Sequence, residues 1–192
     1  MRRRFARLCL RLSRWHVVGR VPHRGLLVGA PHTSNWDFVL MLLLMWYGGV
    51  RPRVLVKKEL FVGPLGWVLR RLGAVPIDRA RPGGLVRELI LQARRGEDFL
   101  LVLAAEGTRT PTRYWKSGFY RIARSSGVPV ALGFVDGPSR TLGFGPTLHL
   151  TGDVRADMDV VRAFYADKRG VRPDGRGVPR LREEDGPGPA PR

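Results

Sequence analysis

The chain has 192 residues, of which 44% are hydrophobic and 26% are charged, and this composition excludes a wholly disordered protein. Its 34 Lys and Arg residues against 16 Asp and Glu residues give a net charge of +18. That charge favours an anionic partner, such as nucleic acid, an acidic membrane, or an acidic small molecule or carrier protein. The single cysteine, Cys9, excludes an intrachain disulfide, and four histidines that stand apart in sequence predict no metal site.

The N-terminal segment, residues 1–24, contains eight arginines and no acidic residue. Helical spacing predicts a basic amphipathic helix in which arginines lie beside one apolar face, formed by Phe5, Leu8, Cys9, Leu12 and Trp15. Such a helix can lie in the interface of an anionic membrane, or it can dock on the protein's own core with its arginines in solvent. The sequence leaves both interpretations open.

Neither a signal peptide nor a membrane span is predicted. Arginines interrupt the N-terminal segment where a signal peptide needs an apolar core. The longest apolar run, residues 38–50, has 13 residues, whereas a spanning helix needs about 20. We therefore expect a cytoplasmic protein.

Residues 25–169 are predicted to form one domain in which apolar strands alternate with helices. This alternation is typical of an α/β domain, a single layered unit with a largely parallel central sheet flanked by helices. Ligands bind such folds at the carboxyl ends of the strands. The predicted strands cover residues 25–30, 53–57, 75–77, 99–104, 128–135 and 147–150, and the predicted helices cover 36–47, 65–72, 85–95, 116–126 and 160–168.

The C-terminal tail, residues 170–192, has an unusual composition. Ten of its 23 residues are Gly or Pro, and five arginines and four acidic residues make up most of the remainder. Because so few residues are apolar, the tail is predicted to be disordered.

The segment P-H-T-S-N-W-D, residues 31–37, follows the first of these strands and opens the first long helix. The spacing of His32 and Asp37 allows the carboxylate to fold back onto the imidazole, which fixes the tautomer and makes the other ring nitrogen a better base. The nearby helix N-terminus favours the neutral imidazole that a base requires. The same aspartate completes a capping-box pattern with Ser34, so a purely structural role stays open.

A second candidate, A-E-G-T-R-T at residues 105–110, directly follows the most apolar predicted strand. Glu106 and Arg109 would emerge at its carboxyl end, Gly107 would let backbone approach a ligand, and Arg109 can grip a phosphate. The alternative is a turn with a weak Glu–Arg surface pair. Lys57 and Arg79 also follow predicted strands and would complete an anion pocket, unless they are simply solvated loop residues.

Sequence motifs for covalent catalysis and for nucleotide binding are absent. The chain has no G-x-S-x-G elbow, no P-loop and no G-x-G-x-x-G. A histidine–aspartate base beside a phosphate pocket instead suits activation of a substrate hydroxyl for direct attack.

Five segments together resemble the glycerophospholipid acyltransferases of the lysophosphatidic acid (1-acylglycerol-3-phosphate) type, in a short bacterial form. The resemblance covers about residues 25–135. It rests on H-x4-D at 32–37, K-x-E-L at 57–60, I-D-R at 77–79, E-G-T-R at 106–109 and V-P-V at 128–130. It implies that His32 is the general base and that Asp37 orients it. It further implies an acceptor-phosphate site made of Lys57, Arg79, Glu106, Gly107, Thr108 and Arg109.

The resemblance also implies the reaction and its partners. The acyl donor would be acyl-CoA or acyl carrier protein, with no further cofactor, and the acceptor a lysophospholipid hydroxyl. The enzyme would sit peripherally on an anionic membrane surface, at the inner face of the cell membrane, with no nucleic acid partner. The alternatives are a non-catalytic peripheral membrane protein and a nucleic-acid-binding module, the latter supported by net charge alone.

Overall fold

The computed structural model describes residues 1–50, 53–77, 84, 87, 90–91, 95 and 100–186. Strands and helices alternate through most of this part of the chain, as the sequence predicts. In chain order they are α1 (Arg2–Leu12), β1 (His16–Val18), β2 (Gly25–Ala30), α2 (Asn35–Gly48), β3 (Arg53–Lys57), α3 (Gly63–Arg71), β4 (Ala74–Ile77), β5 (Leu100–Leu103), α4 (Gly118–Ser126), β6 (Val130–Asp136), β7 (Thr141–Leu148) and α5 (Val154–Tyr165).

Within the described ranges, seven strands form one sheet in the order β1-β7-β6-β2-β5-β3-β4. Five neighbouring strands run parallel to one another: β6, β2, β5, β3 and β4. Strand β7 pairs antiparallel with β6, and β1 pairs parallel with β7. The predicted α/β domain with a largely parallel sheet is confirmed. Because the five parallel strands end at the same edge, the loops that follow β2, β3 and β5 gather there.

Both faces of the sheet are covered by helices. Successive residues of a strand point to opposite faces, so Leu26 belongs to the core shared with α4 and α5, whereas Leu27 belongs to the core shared with α1 and α2. Tyr165, at the end of α5, is fully buried, and its hydroxyl shares its single donor hydrogen between the carbonyl oxygens of Val28 and Gly133, at 2.8 and 2.9 Å. This tyrosine ties α5 to β2 and β6 beneath the carboxyl edge.

Several elements differ from their predicted bounds. Strand β7 begins at Thr141 rather than at residue 147 because residues 141–144 also pair with β6. The register shifts where Gly145 and Pro146 interrupt the pairing. Helix α5 begins at Val154 rather than at residue 160, since the Asp153 side chain caps the N–H groups of Arg155 and Ala156, at 3.1 Å each. Strand β1 was not predicted. The predicted helix over 85–95 falls largely outside the described residues.

Helix α1 docks on α2 through two buried residues that the predicted apolar face did not include, and Phe5 of that face also packs against the Trp46 ring, 6.2 Å away between centroids. Ala6 and Leu10 are buried, and Leu10 joins the core that α2 also enters. Phe5, Leu8 and Leu12 remain more than half exposed. The helix therefore packs on the protein's own core and still presents an apolar stripe to its surroundings. No helix in the described part of the chain is both long enough and apolar enough to cross a bilayer.

Residues 170–186 are packed against the domain, in contrast to the predicted disordered tail. Leu181 is fully buried in the core beneath α5, and the Glu184 carboxylate lies 2.6 Å from the Arg162 guanidinium. Two short 3-10 turns, Pro173–Gly175 and Arg182–Asp185, give the segment a fixed path. Composition alone predicts disorder here because the segment has few apolar residues. One buried leucine and one partly buried ion pair are nevertheless enough to anchor it.

Candidate active site

His32 and Asp37 face each other across the loop that joins β2 to α2. The His32 Nδ1 atom lies 3.6 Å from the Asp37 Oδ2 atom, with the imidazole about a fifth exposed and the carboxylate almost buried. The strand ends at Ala30 and the helix begins at Asn35, so the loop has only four residues and holds the two side chains on the same side of the turn. The five-residue spacing thus produces the pair that the sequence predicts.

Asp37 also caps the N-terminus of α2 together with Ser34, as the capping-box pattern in the sequence predicts. Its Oδ2 atom accepts hydrogen bonds from the backbone N–H groups of Thr33 and Ser34, at 2.6 and 2.5 Å. The Ser34 hydroxyl in turn accepts from the N–H of Trp36, at 3.2 Å. These bonds hold the carboxylate in one orientation, so its capping role and its place beside the imidazole support each other.

Glu106 lies beneath His32 and is joined to it directly. Its Oε2 atom accepts a hydrogen bond from the His32 backbone N–H, at 3.0 Å, and only 3% of the residue is exposed. Burial raises the pKa of the Glu106 carboxyl from 4.5 to about 7, an effect that the bond from His32 opposes and the Asp37 carboxylate strengthens. Glu106 is therefore a buried support of the histidine loop rather than part of a Glu–Arg surface pair.

The remaining residues of the E-G-T-R segment form a turn at the surface. Gly107 adopts a left-handed conformation, with φ of 69°, and donates to the carbonyl oxygen of Ala104 at 3.1 Å. Thr108 shares a hydroxyl hydrogen bond of 3.0 Å with Thr110, and the side chain of Arg109 is exposed. Arg109 thus follows the carboxyl end of β5, where an anion can reach it.

The structure places the predicted basic residues unequally. Lys57 is the last residue of β3 and is exposed at the same edge, with β5 between its strand and β2. Arg79 lies outside the described residues. Direct contacts join His32, Asp37 and Glu106, whereas Lys57 shares only the sheet edge with them. In the described part of the chain, no three His, Cys, Asp or Glu side chains cluster as a metal site would require.

Sequence reasoning missed Thr33, which is 4% exposed and lies between His32 and the helix cap. Its hydroxyl oxygen accepts a hydrogen bond from the backbone N–H of Arg172, at 2.9 Å, and so joins the loop to the C-terminal segment. No local pattern announces this contact, because the two residues are 139 positions apart.

The histidine loop, residues 31–34, and the E-G-T-R turn, residues 106–109, are here called the motif loops, and both lie within an acyltransferase domain. The model of the Acyltransferase family matches residues 14–131, more than half of the chain and the part that holds every candidate residue. The chain therefore belongs to the Acyltransferase family.

Two known proteins show which branch of the family the chain is similar to. It is 28% identical over 103 residues to the 1-acyl-sn-glycerol-3-phosphate acyltransferase of Streptococcus pneumoniae, a match that covers 50% of this chain and 37% of that protein. The chain thus spans well under half of this relative's length. The crystal structure of the 1-acyl-sn-glycerophosphate acyltransferase PlsC from Thermotoga maritima has the same fold, with a TM-score of 0.55 at 21% identity. That match covers 86% of this chain and 77% of the other.

Proposed function

We propose that this protein transfers a fatty acyl group from acyl-CoA or acyl carrier protein to the free hydroxyl of 1-acylglycerol-3-phosphate. The observation that carries the proposal is the His32–Asp37 pair, 3.6 Å apart at the carboxyl edge of the sheet in a member of the Acyltransferase family. The acyltransferase activity named for the pneumococcal relative supports the choice of acceptor.

His32 is proposed to act as the general base. Its Nε2 atom takes the proton of the acceptor hydroxyl while the hydroxyl oxygen attacks the thioester carbonyl carbon. The Asp37 carboxylate beside Nδ1 stabilises the imidazolium that forms, as the carboxylate does in other histidine-based triads. Collapse of the tetrahedral intermediate breaks the carbon–sulfur bond, and the departing thiolate receives the proton that His32 holds. The products are the diacyl ester and the free thiol of the donor.

The acceptor phosphate is proposed to bind the E-G-T-R turn. The exposed guanidinium of Arg109 can donate two parallel hydrogen bonds to a phosphate, and the hydroxyl of Thr108 can add a third. Lys57 and Arg79 are proposed to complete the positive surface, while Gly107 shapes the turn. Glu106 is proposed to support the acceptor site indirectly, by holding the backbone of His32.

The reaction is tested by incubating the purified protein with an acyl-CoA and one acceptor at a time. The three acceptors are 1-acylglycerol-3-phosphate, lysophosphatidylcholine and glycerol-3-phosphate. We expect one equivalent of free thiol for each molecule of phosphatidic acid, with lower turnover of the other two acceptors. A parallel series uses acyl carrier protein as the donor. Thiol release that is independent of any acceptor would instead identify a thioesterase, and no turnover in either series would contradict the proposal.

An anionic membrane surface is the proposed partner, with the protein held peripherally at the inner face of the cell membrane. Helices α2 and α3 lie on one face of the sheet, because right-handed crossovers carry β2 to β3 and β3 to β4 in the same direction, and α1 packs on α2. These three helices contain a single acidic residue, the buried Asp37. They also carry many of the large apolar side chains that the described residues expose: Phe5, Leu8, Leu12, Trp36, Val39, Leu65, Trp67 and Val68.

Replacement of both Leu8 and Trp67 by Asp is expected to lower partitioning onto vesicles of mixed neutral and anionic lipid by about tenfold or more, since each apolar side chain contributes about 1.5–3 kcal/mol when buried. Binding of the unaltered protein should fall as salt is raised. Val160→Asp combined with Ala163→Asp is the matched control, because it changes the net charge equally and both residues are exposed on α5, on the opposite face. Equal partitioning of the double variant and the control would contradict the proposed membrane face.

A further inference from the structure

Residues 169–181, here called the strap, follow α5 in the chain. In space they begin beside the end of β6 and cross the carboxyl edge of the sheet. The strap begins with a backbone N–H of Arg169 that donates to the Asp136 carboxylate, at 2.9 Å. Gly170 then exchanges hydrogen bonds with the end of the strand, donating to the Val135 carbonyl at 3.1 Å and accepting from the Gly137 N–H at 2.9 Å. Since β6 is the immediate neighbour of β2, these bonds start the strap beside the candidate active site.

The strap next lies against both motif loops. Arg172 donates its backbone N–H to the Thr33 hydroxyl, and a Cβ atom placed on Gly170 would lie only 2.6 Å from that same oxygen. A Cβ atom on Gly175 would lie 3.2 Å from both the Arg109 carbonyl oxygen and the Thr33 Cβ. Glycine at these two positions therefore lets the strap backbone approach the histidine loop and the E-G-T-R turn closely.

The far end of the strap is anchored in the core. The Arg180 carbonyl oxygen accepts a hydrogen bond from the backbone N–H of Trp115, at 2.7 Å, and Leu181 is fully buried. Directly after it, the Leu181 N–H donates to the Glu184 carboxylate at 2.6 Å, which in turn pairs with Arg162. With both ends fixed, the position of the strap over the two loops is built into the fold.

We propose that the strap forms one wall of the acceptor site and that Thr33 is the positioning residue that ties this wall to the His32–Asp37 loop. The inference rests on the proposed function, and the strap lies outside the family match at residues 14–131. The strap carries four arginines and one aspartate. Arg180 pairs with the Asp185 carboxylate, and the other three arginines still leave this wall positively charged, which suits an acceptor that bears a phosphate.

Because Thr33 is buried, its hydroxyl does not act on the substrate. The hydroxyl also lies 3.5 Å from the Asp37 Oδ2 atom, but the two shorter backbone bonds, at 2.6 and 2.5 Å, hold that carboxylate without it.

The test replaces Thr33 by Val, which keeps the shape of the side chain and removes the acceptor for the Arg172 N–H. We expect the KM for 1-acylglycerol-3-phosphate to rise about tenfold with kcat and the KM for acyl-CoA within about twofold, since binding is lost without loss of the chemistry. Thr33→Ser should restore the KM, and Thr147→Val, at an exposed position on β7, is the matched control. An unchanged acceptor KM, or a fall in kcat alone, would overturn the proposal.

Hydrogen exchange separates the failure of this inference from the failure of the proposed function. In the ligand-free protein, Thr33→Val should speed amide exchange in residues 170–177 and in residues 33–37 together, because one hydrogen bond joins the two segments. If amide exchange in the strap of this variant equals that of the unaltered protein, the Thr33–Arg172 bond does not hold the strap, and the inference is overturned whatever the turnover. Faster exchange in the variant, together with no turnover of any acceptor by the unaltered protein, would support the link between Thr33 and the strap and contradict the proposed reaction.

Discussion

Replacement of His32 by Ala is expected to lower kcat for acyl transfer by about 10³-fold, within the range that a positioned general base contributes. The acceptor hydroxyl would have no group to take its proton, and the Asp37 carboxylate would lose the imidazolium that it stabilises. The backbone N–H of residue 32 would still donate to Glu106, so the loop and the fold should be retained. Steady-state kinetics with 1-acylglycerol-3-phosphate measures the effect, with circular dichroism to check the fold.

The matched control is His149→Ala. His149 directly follows β7, which runs antiparallel to β6, so it lies towards the opposite edge of the sheet from the candidate site. Its side chain is exposed, and its replacement is expected to leave kcat within about twofold, as for most surface changes. A His32→Ala variant that keeps the activity of this control would remove His32 from the mechanism.

Glu106→Ala is expected to lower kcat by about 10²-fold, the second largest effect, because a small misplacement of a catalytic group is costly. The change leaves a cavity beneath His32 and removes the acceptor of its backbone N–H, at 3.0 Å. Glu106→Gln keeps an oxygen that can accept this bond and should retain most of the activity. If the glutamine variant loses as much kcat as the alanine variant, the negative charge itself takes part in the reaction, and Glu106 is more than a support.

Glu106 should also make the stability of the protein depend on pH. Its pKa in the folded protein is raised from 4.5 to about 7 by burial, so the folded state holds this proton more tightly than the unfolded state does. Each pKa unit corresponds to about 1.4 kcal/mol, so the free energy of unfolding should fall by on the order of 3 kcal/mol as the pH rises from 4.5 to 7. Below 4.5 the carboxyl is protonated in both states, and above 7 the loss is complete.

Urea unfolding at pH 5 and at pH 8 measures this loss, with Glu106→Gln as the comparison. The glutamine carries no charge, so the variant should lack the Glu106 contribution to the decrease and gain stability relative to the unaltered protein at pH 8. The same pH dependence in both proteins would show that Glu106 ionises as freely in the folded state as in the unfolded one.

Local sequence determined much of this protein. The apolar run at residues 25–30 became a strand with those bounds, since a strand buried on both faces is apolar at almost every position. The predicted strand over residues 53–57 also has the observed bounds. The pairing of His32 with Asp37 also follows from sequence, because a four-residue loop and a capped helix bring together side chains five positions apart. Contacts over such short separations depend mainly on turn geometry and capping, which neighbouring residues decide.

Only the tertiary structure decided the rest. The bond from His32 to Glu106 joins residues 74 positions apart, and the burial that accompanies this contact raises the pKa of the Glu106 carboxyl. The strap looked disordered because its composition offers almost nothing to bury, yet Leu181 and Glu184 fix it across both motif loops. Strand order, docking of α1 and closure of the strap depend on contacts between distant segments. The free energy that stabilises these contacts comes from burying apolar surface between segments that meet only once the sheet has formed.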